Sequence, residues 1–418
     1  MLYERWRQIA RQYRNEIALI DLASADQWTF GQLAAAEEAG SVSGPVVFPQ
    51  GRQFIFTLLR AWRLGLVACP LESGQIHPVW TAFPSGCTHI KMTSGTTGFA
   101  RGIAFTGQQL AADADNIVAT MGLRRDWPNL GAISLAHSYG FSNLVLPLLL
   151  HGIPLIMMDS PLPEAVRQAA TAFEYLTLAA VPSMWRTWHE ANSIPKNVRL
   201  AISAGAPLSL TLERSIHSAQ GLKIHNFYGA SECGGIAYDA SDAPRKDAAL
   251  AGTAMKNVAL SVEQDGCLEV SGAAVGISYW PDPGPGLASG CFQTSDLVEI
   301  VVGGVYVRGR AGDQINVAGR KVSPESIERV LGSHPSVREC LVFGVPAADA
   351  ERMETIVACV VSKPVVDGES LKQFLLEKIP AWQIPREWIF VESLEASRRG
   401  KLSRAEWRKK YLELSTRK

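Results

Sequence analysis

The chain has 418 residues, 47% of them hydrophobic and 19% charged, and 40 Lys plus Arg balance 40 Asp plus Glu to a formal net charge of zero. At roughly 100–200 residues per domain this length allows two to four domains, and the composition excludes a disordered, collagen-like or coiled-coil chain. Balanced charge excludes bulk nucleic-acid binding, which needs a basic excess to neutralise phosphates; only Arg404 to Lys418 is locally basic, as a solvated helix face would also be.

In chain order, the first segment, Met1-Leu2-Tyr3-Glu4-Arg5-Trp6-Arg7, is charged from the start, unlike a signal peptide. Leu2, Trp6, Ile9, Ala10 and Tyr13 recur at helical spacing. Short apolar runs follow at Val46-Val47-Phe48, Ile133-Ser134-Leu135, Leu155 to Met158, Leu176-Thr177-Leu178 and Leu200-Ala201-Ile202. Helix-length segments such as Leu162 to Ala172 and Leu208 to Ala219 lie between several of them. That alternation predicts layered α/β structure with buried strands up to about residue 240. Leu144 to Met158, the most apolar stretch, is broken by Pro147, His151, Gly152 and Pro154 and is too short to cross a bilayer. No membrane span and a cytoplasmic location are expected.

From about residue 258 the pattern becomes β-rich. Val258 to Val262 and Leu268 to Val270, separated by Asp265-Gly266, predict one hairpin; Val298 to Val302 and Val305 to Val307, turning at Gly303-Gly304, predict another. A last α+β unit begins near Arg310. It has a strand at Gln314 to Val317, a helix opening at Ser323-Pro324-Glu325, strands at Cys340 to Phe343 and Thr355 to Val361, and a helix at Glu369 to Ile379. The expected fold is therefore α/β: a large layered N-terminal domain with a β-rich subdomain over 1–309, then a small α+β domain over 310–418. Seven cysteines, an odd number without C-x-x-C spacing, predict reduced structural thiols rather than a disulfide framework or a zinc site.

The most informative stretch is Lys91-Met92-Thr93-Ser94-Gly95-Thr96-Thr97-Gly98-Phe99-Ala100-Arg101-Gly102. It reads as a loop between two short strands. Glycines allow sharp turns and close approach to a ligand, converging hydroxyls and N–H groups form an anion nest, and Arg101 can pair with phosphate. The spacing is not that of the G-x-x-x-x-G-K-[ST] P-loop, and an ordinary polar turn has the same composition. Further along come Asn226-Phe227-Tyr228-Gly229-Ala230-Ser231-Glu232, Thr294-Ser295-Asp296, Arg308-Gly309-Arg310, Gly319-Arg320-Lys321-Val322 and Arg398-Arg399-Gly400-Lys401-Leu402.

Taken in this order, from about Phe30 to Arg404, these segments resemble the adenylate-forming superfamily of acyl- and aryl-CoA synthetases, carrier-protein adenylation domains and luciferases. The resemblance implies that Thr93, Ser94, Gly95, Thr96, Thr97, Gly98 and Arg101 wrap the β- and γ-phosphates of ATP. Gly205, Ala206 and Pro207 would lie along adenine, with Phe227, Tyr228 and Gly229 in the aromatic segment that stacks on it and Asn226 at its edge. Ser231 would meet the α-phosphate, Glu232 would hold Mg²⁺, and Asp296 would accept from the ribose hydroxyls beside Arg310. Lys401 would bridge the attacking carboxylate and the α-phosphate. Gly319 and Arg320 would flank the pantetheine arm of CoA or of a carrier protein.

Ser134 to Phe141 falls where the family lines its acid pocket, with His137 as the expected gate and Tyr139, Phe141, Gly205 and Gly229 beside it. No acidic residue is present there to pair with a substrate amine, so an aryl or fatty acid without an α-amino group is expected. The chain departs from the family pattern at Ala100 and Arg101 (usually Pro and Lys), at Ser295 (usually Gly) and at Gly312, the hinge position usually held by Asp or Lys. Fewer residues than usual precede the phosphate loop, a loss that contacts in a homodimer could cover. Three readings follow: an acid–CoA ligase, an enzyme loading a pantetheinylated carrier protein, or a degenerate nucleotide-binding protein. A serine hydrolase is disfavoured, since no G-x-S-x-G elbow is present.

Overall fold

The computed structural model describes residues 1–72, 74–80, 82–93, 101–288, 290–347, 353–394 and 403–415. Six parallel strands form the centre of the main sheet: Ile224–Ala230, Val198–Ser203, Leu176–Ala180, Asn129–Gly131, Leu155–Met157 and Ile17–Asp21, in that spatial order. They are largely buried, as strands covered by helices on both faces must be. Beyond Ile224–Ala230 the same sheet continues antiparallel through Gly234–Tyr238 and Leu250–Ala254 into the hairpin strands of the β-rich region. Both expected hairpins are there, Ala259–Val262 against Cys267–Ser271 and Cys291–Val301 against Gly304–Arg310.

A second sheet of five strands runs in the order Ser278–Trp280, Gly102–Thr106, Cys87–Met92, Val67–Ala68, Val46–Val47. The helix Leu2–Gln12 turns Leu2, Trp6 and Ala10 inward, the stripe its spacing predicts. Trp6 is fully buried against Phe30, with ring centroids 6.1 Å apart, and burial of such a side chain stabilises by about 3 kcal/mol. All seven cysteines are free thiols, and burial pushes those of Cys69 and Cys359 up to about 12.

One expected element is absent. Ile133 to Leu135 is not a strand; the strand is Asn129–Gly131, and the chain then leaves the sheet. The reason is packing further along. A Cβ on Gly140 would lie 2.1 Å from the Ser134 carbonyl oxygen, so the glycine is what permits residues 134 to 140 to fold back this closely instead of extending.

The small C-terminal domain has its own three-stranded sheet, Val337–Pro346, Glu354–Ser362 and Glu387–Phe390. The helices Pro324–Leu331 and Gly368–Leu376 pack on it around Ile327, Leu331, Leu371 and Leu375. It meets the large domain through Arg186, which donates to the Arg338 carbonyl at 2.6 Å and pairs with Glu339 at 3.1 Å. Arg329 adds bonds to the Val307 and Arg308 carbonyls at 3.3 and 3.1 Å. No helix of the described residues is long and apolar enough to cross a membrane.

Candidate active site

In open α/β sheets ligands bind beyond the carboxyl ends of the parallel strands. Three segments singled out in the sequence emerge there. His137 follows the strand Asn129–Gly131, Gly205 to Pro207 follow Val198–Ser203, and Tyr228 to Glu232 end and follow Ile224–Ala230. Ser138 at the first donates to Ser231 at the last across 2.9 Å, joining the segment expected to line an acid pocket to the segment expected to meet the nucleotide. His137 caps the short helix behind it, its Nδ1 accepting from the Tyr139 N–H at 3.2 Å. Gly229 is exposed at the rim, where a Cβ would meet the Gly234 carbonyl oxygen at 2.7 Å.

The clearest polar constellation is Tyr228, Asp296 and Arg310. The Tyr228 hydroxyl donates to Asp296 Oδ2 at 2.5 Å and Arg310 Nε to Oδ1 at 2.8 Å. Burial and the neighbouring Asp296 carboxylate push the Tyr228 phenol well above its ordinary range, so it stays a donor. Asp296 and Arg310 face each other across the hairpin register, which is what brings residues fourteen apart in sequence together.

The loop of hydroxyls and glycines connects Cys87–Met92 to Gly102–Thr106, closed at its neck by the Thr93 N–H donating to the Arg101 carbonyl at 2.8 Å. Ser94, Gly95, Thr96, Thr97, Gly98 and Lys401 lie outside the described residues. Glu232 is half-buried and accepts from the Tyr279 hydroxyl at 3.2 Å, while Arg101 stands over the Tyr279 ring at 5.4 Å.

Other expected residues have different surroundings. Phe227 is buried against Tyr139, with ring centroids 5.9 Å apart, so its side chain belongs to the interior rather than to a ligand surface. Phe141 is also buried, stacked on His89. Asn226 donates its amide to the Ala251 carbonyl at 3.2 Å. Gly205 and Pro207 are exposed and Ala206 half-buried. Gly319 and Arg320 form an exposed turn on the small domain, with Arg320 over the Trp382 ring at 5.6 Å.

The sequence reading missed a buried charge beneath the site. Lys91, on the strand leading into the loop, reaches Asp113 at 3.4 Å and Ser142 at 3.2 Å, all three buried. Asp113 also accepts from the Ser142 hydroxyl at 2.6 Å and from the Gly235 N–H at 3.3 Å. One carboxylate thus fastens the loop's incoming strand, the helical segment after His137 and the strand Gly234–Tyr238 that follows Glu232. Its sequence signal was available: Lys91 lies between the apolar Ile90 and Met92 in the strand that leads into the loop, and a lysine buried in such a strand requires a partner.

The profile of AMP-binding enzymes matches residues 84–279, and that of the AMP-binding enzyme C-terminal domain matches 326–401, in the same order along the chain. The chain belongs to the adenylate-forming superfamily. A probable 2-succinylbenzoate–CoA ligase of Mycobacterium tuberculosis is 29% identical over 332 residues, 75% of this chain and 82% of that protein. A feruloyl-CoA synthase of Amycolatopsis is 26% identical over 342 residues, 76% and 69% of the two chains. Among solved structures, ATP-bound MatB from Rhodopseudomonas palustris superposes with a TM-score of 0.86 at 20% identity, covering 99% of this chain and 100% of that one. The similarity confirms a fold with a large N-terminal and a small C-terminal domain.

Proposed function

We propose that the protein is an AMP-forming acid–thiol ligase that activates an aryl carboxylic acid with ATP and passes the acyl group to CoA. The observation that supports this reading most is the Ser138–Ser231 contact, which joins the segment proposed for the acid to the segment proposed for the nucleotide, where Tyr228, proposed to stack on adenine, donates to Asp296, proposed for the ribose, which also accepts from Arg310. The absence of an acid between Ser134 and Phe141 supports a substrate without an amine there, and relatives named for 2-succinylbenzoate and ferulate favour an aryl over a fatty acid.

In the first half-reaction a carboxylate oxygen attacks the α-phosphorus of ATP, forming the acyl–phosphate bond and releasing pyrophosphate. The phosphate loop, Thr93 to Gly98 with Arg101, would hold the β- and γ-phosphates, Ser231 the α-phosphate, and Asp296 the ribose. Lys401 would stabilise the charge that develops between carboxylate and α-phosphate, where a preorganised cation has most effect. Among the described residues no cluster of three or more metal-ligating side chains exists. A single half-buried carboxylate, Glu232, suits Mg²⁺, which is commonly held by one carboxylate plus nucleotide phosphates. Bound there, Mg²⁺ would neutralise phosphate charge. In the second half-reaction a thiolate attacks the acyl carbonyl and AMP leaves, with Gly319 and Arg320 beside the pantetheine arm.

The division at residues 309 and 310, with rotation near Gly312 between half-reactions, belongs to the same proposal. Gly312 is exposed, and a Cβ there would meet nothing within 4 Å, so its contribution would be backbone freedom rather than clearance. A carrier-protein acceptor and a homodimer are the finer alternatives.

The test is a pyrophosphate-release screen over aryl and fatty acids, each with CoA or a phosphopantetheinylated carrier protein. Release dependent on an aryl acid and CoA is expected; release with no acid at all, or none with any acid, overturns the reading. Lys401→Ala should abolish acid-dependent pyrophosphate release yet largely spare thioester formation from supplied acyl-AMP. Equal loss of both steps would remove the assigned role.

A further inference from the structure

The strand Ser278–Trp280 has no part in the reaction as described, yet it touches both halves of the phosphate-binding apparatus. Its backbone pairs with the strand that leaves the loop, Tyr279 opposite Ile103 and Trp280 opposite Gly102. Just before it, the Gly276 N–H donates to the Glu232 carbonyl at 2.8 Å and the Ile277 N–H to the Ala104 carbonyl at 2.8 Å. Side chains repeat what the backbone does. The Tyr279 hydroxyl donates to Glu232 Oε1 at 3.2 Å, and the Arg101 guanidinium lies over the same ring at 5.4 Å. The register is tightly held, since a Cβ on Gly102 would come within 2.8 Å of Ile90 Cγ2 and 3.2 Å of the Trp280 carbonyl oxygen.

We infer that Tyr279 is a positioning residue that couples the cation at the end of the phosphate loop to the carboxylate assigned to the metal. Glutamate has three side-chain torsions, and fixing them costs free energy at the moment a ligand binds. The phenol fixes the carboxylate beforehand while leaving its charge intact. Its ring face does the same for Arg101, holding the guanidinium by its quadrupole without cancelling the charge that phosphate needs. An ionised partner at this position would satisfy one group and repel or neutralise the other; a neutral aromatic alcohol serves both.

The inference rests on the adenylate-forming reading and adds a residue to it. Calorimetric titration of MnATP, and separately of ATP in EDTA, into the wild-type chain, Tyr279→Phe and Tyr279→Leu tests it. Tyr279→Phe keeps the ring and loses the hydroxyl, so MnATP binding should weaken about ten-fold while metal-free ATP binding stays within two-fold of wild type. Tyr279→Leu should also weaken metal-free ATP binding, about three-fold. Wild-type affinity of Tyr279→Phe for both ligands overturns the inference alone, and so does an equal loss for both. A wild-type chain that binds ATP in neither form overturns the adenylate-forming reading and the inference with it. Tyr279→Phe decides the matter even if Tyr279→Leu does not fold.

Discussion

The two domains bury charge in different ways. In the large domain two groups of buried charges are paired entirely out of solvent. Lys91 pairs with Asp113 beside the candidate site, and Lys223 pairs with both Glu213 and Asp239 while Arg245 pairs with Glu213, every one of them buried. In the small domain a single partly buried cation, Arg404, gathers Asp313 at 2.9 Å, Glu325 at 2.7 Å and Glu328 at 2.7 Å. The first arrangement balances charge pair by pair and fixes the turns around it. The second leaves an excess of carboxylate whose state depends on pH. Buried ion pairs add little net stability over an apolar replacement, but removing one partner is costly, so the contrast is open to mutation.

The largest expected effect is at Asp113. Asp113→Ala leaves Lys91 buried without its carboxylate and should cost about 3–5 kcal/mol, measured by denaturant unfolding, with loss of nucleotide binding. The double change Lys91→Met with Asp113→Leu should recover most of that stability without restoring the bonds to Ser142 and Gly235. A double variant no more stable than the single one would show that the pair itself stabilises.

Arg404→Met comes next, with about 2–3 kcal/mol of destabilisation confined to the small domain. Hydrogen exchange should show loss of protection in the helix Pro324–Leu331 and little change in Ile224–Ala230. Equal loss in both regions would mean that the domains do not unfold separately.

Two smaller effects run in opposite directions with pH. Burial raises the Glu328 carboxyl to about 7, against the pull of Arg404. With a folded-state value above the unfolded one, the folded small domain binds the extra proton, so its stability is greatest below about pH 4.5 and falls as pH rises towards 7. The drop should be roughly 3 kcal/mol, and Glu328→Gln should flatten it. His89 shows the reverse. It is fully enclosed, stacked on Phe141 at 4.3 Å, and burial, with Lys91 adding, holds it well below its ordinary range. The large domain therefore loses stability as pH falls below about 6.5, where the unfolded chain takes up a proton that the folded chain refuses. Among the described residues neither His89 ring nitrogen has a hydrogen-bond partner, so His89→Leu should change stability at pH 8 by less than about 1 kcal/mol while reducing the acid sensitivity. Unchanged acid sensitivity in that variant would assign the pH dependence to other groups.

Legibility in the sequence followed the range of the forces involved. The helix Leu2–Gln12 and the hairpins at 259–271 and 291–310 were readable because their determinants are local: a helical stripe, and turn residues between β-rich runs. Ile133 to Leu135 misled because a short apolar run has strand composition, whereas the fold-back at Gly140 is dictated by backbone contact with Ser134. The candidate nucleotide motifs were recognisable because phosphate and ribose would demand particular polar groups within a few residues of one another. Phe227, grouped with them by proximity to Tyr228, turned inward because neighbours in a strand point to opposite faces.

What the sequence by itself determined is therefore the order of elements, the superfamily and a set of candidate ligand-binding groups, since propensity, turn chemistry and motif spacing act over a few residues. Only the tertiary structure decided how those groups are supported: Lys91 on Asp113, Ser138 on Ser231, and Tyr279 between Glu232 and Arg101. Those partners lie 22, 93 and 47 residues apart along the chain for the three hydrogen bonds. At such separations a partner is chosen by which strands adjoin in the sheet and which faces they turn towards each other, and one-dimensional order holds neither.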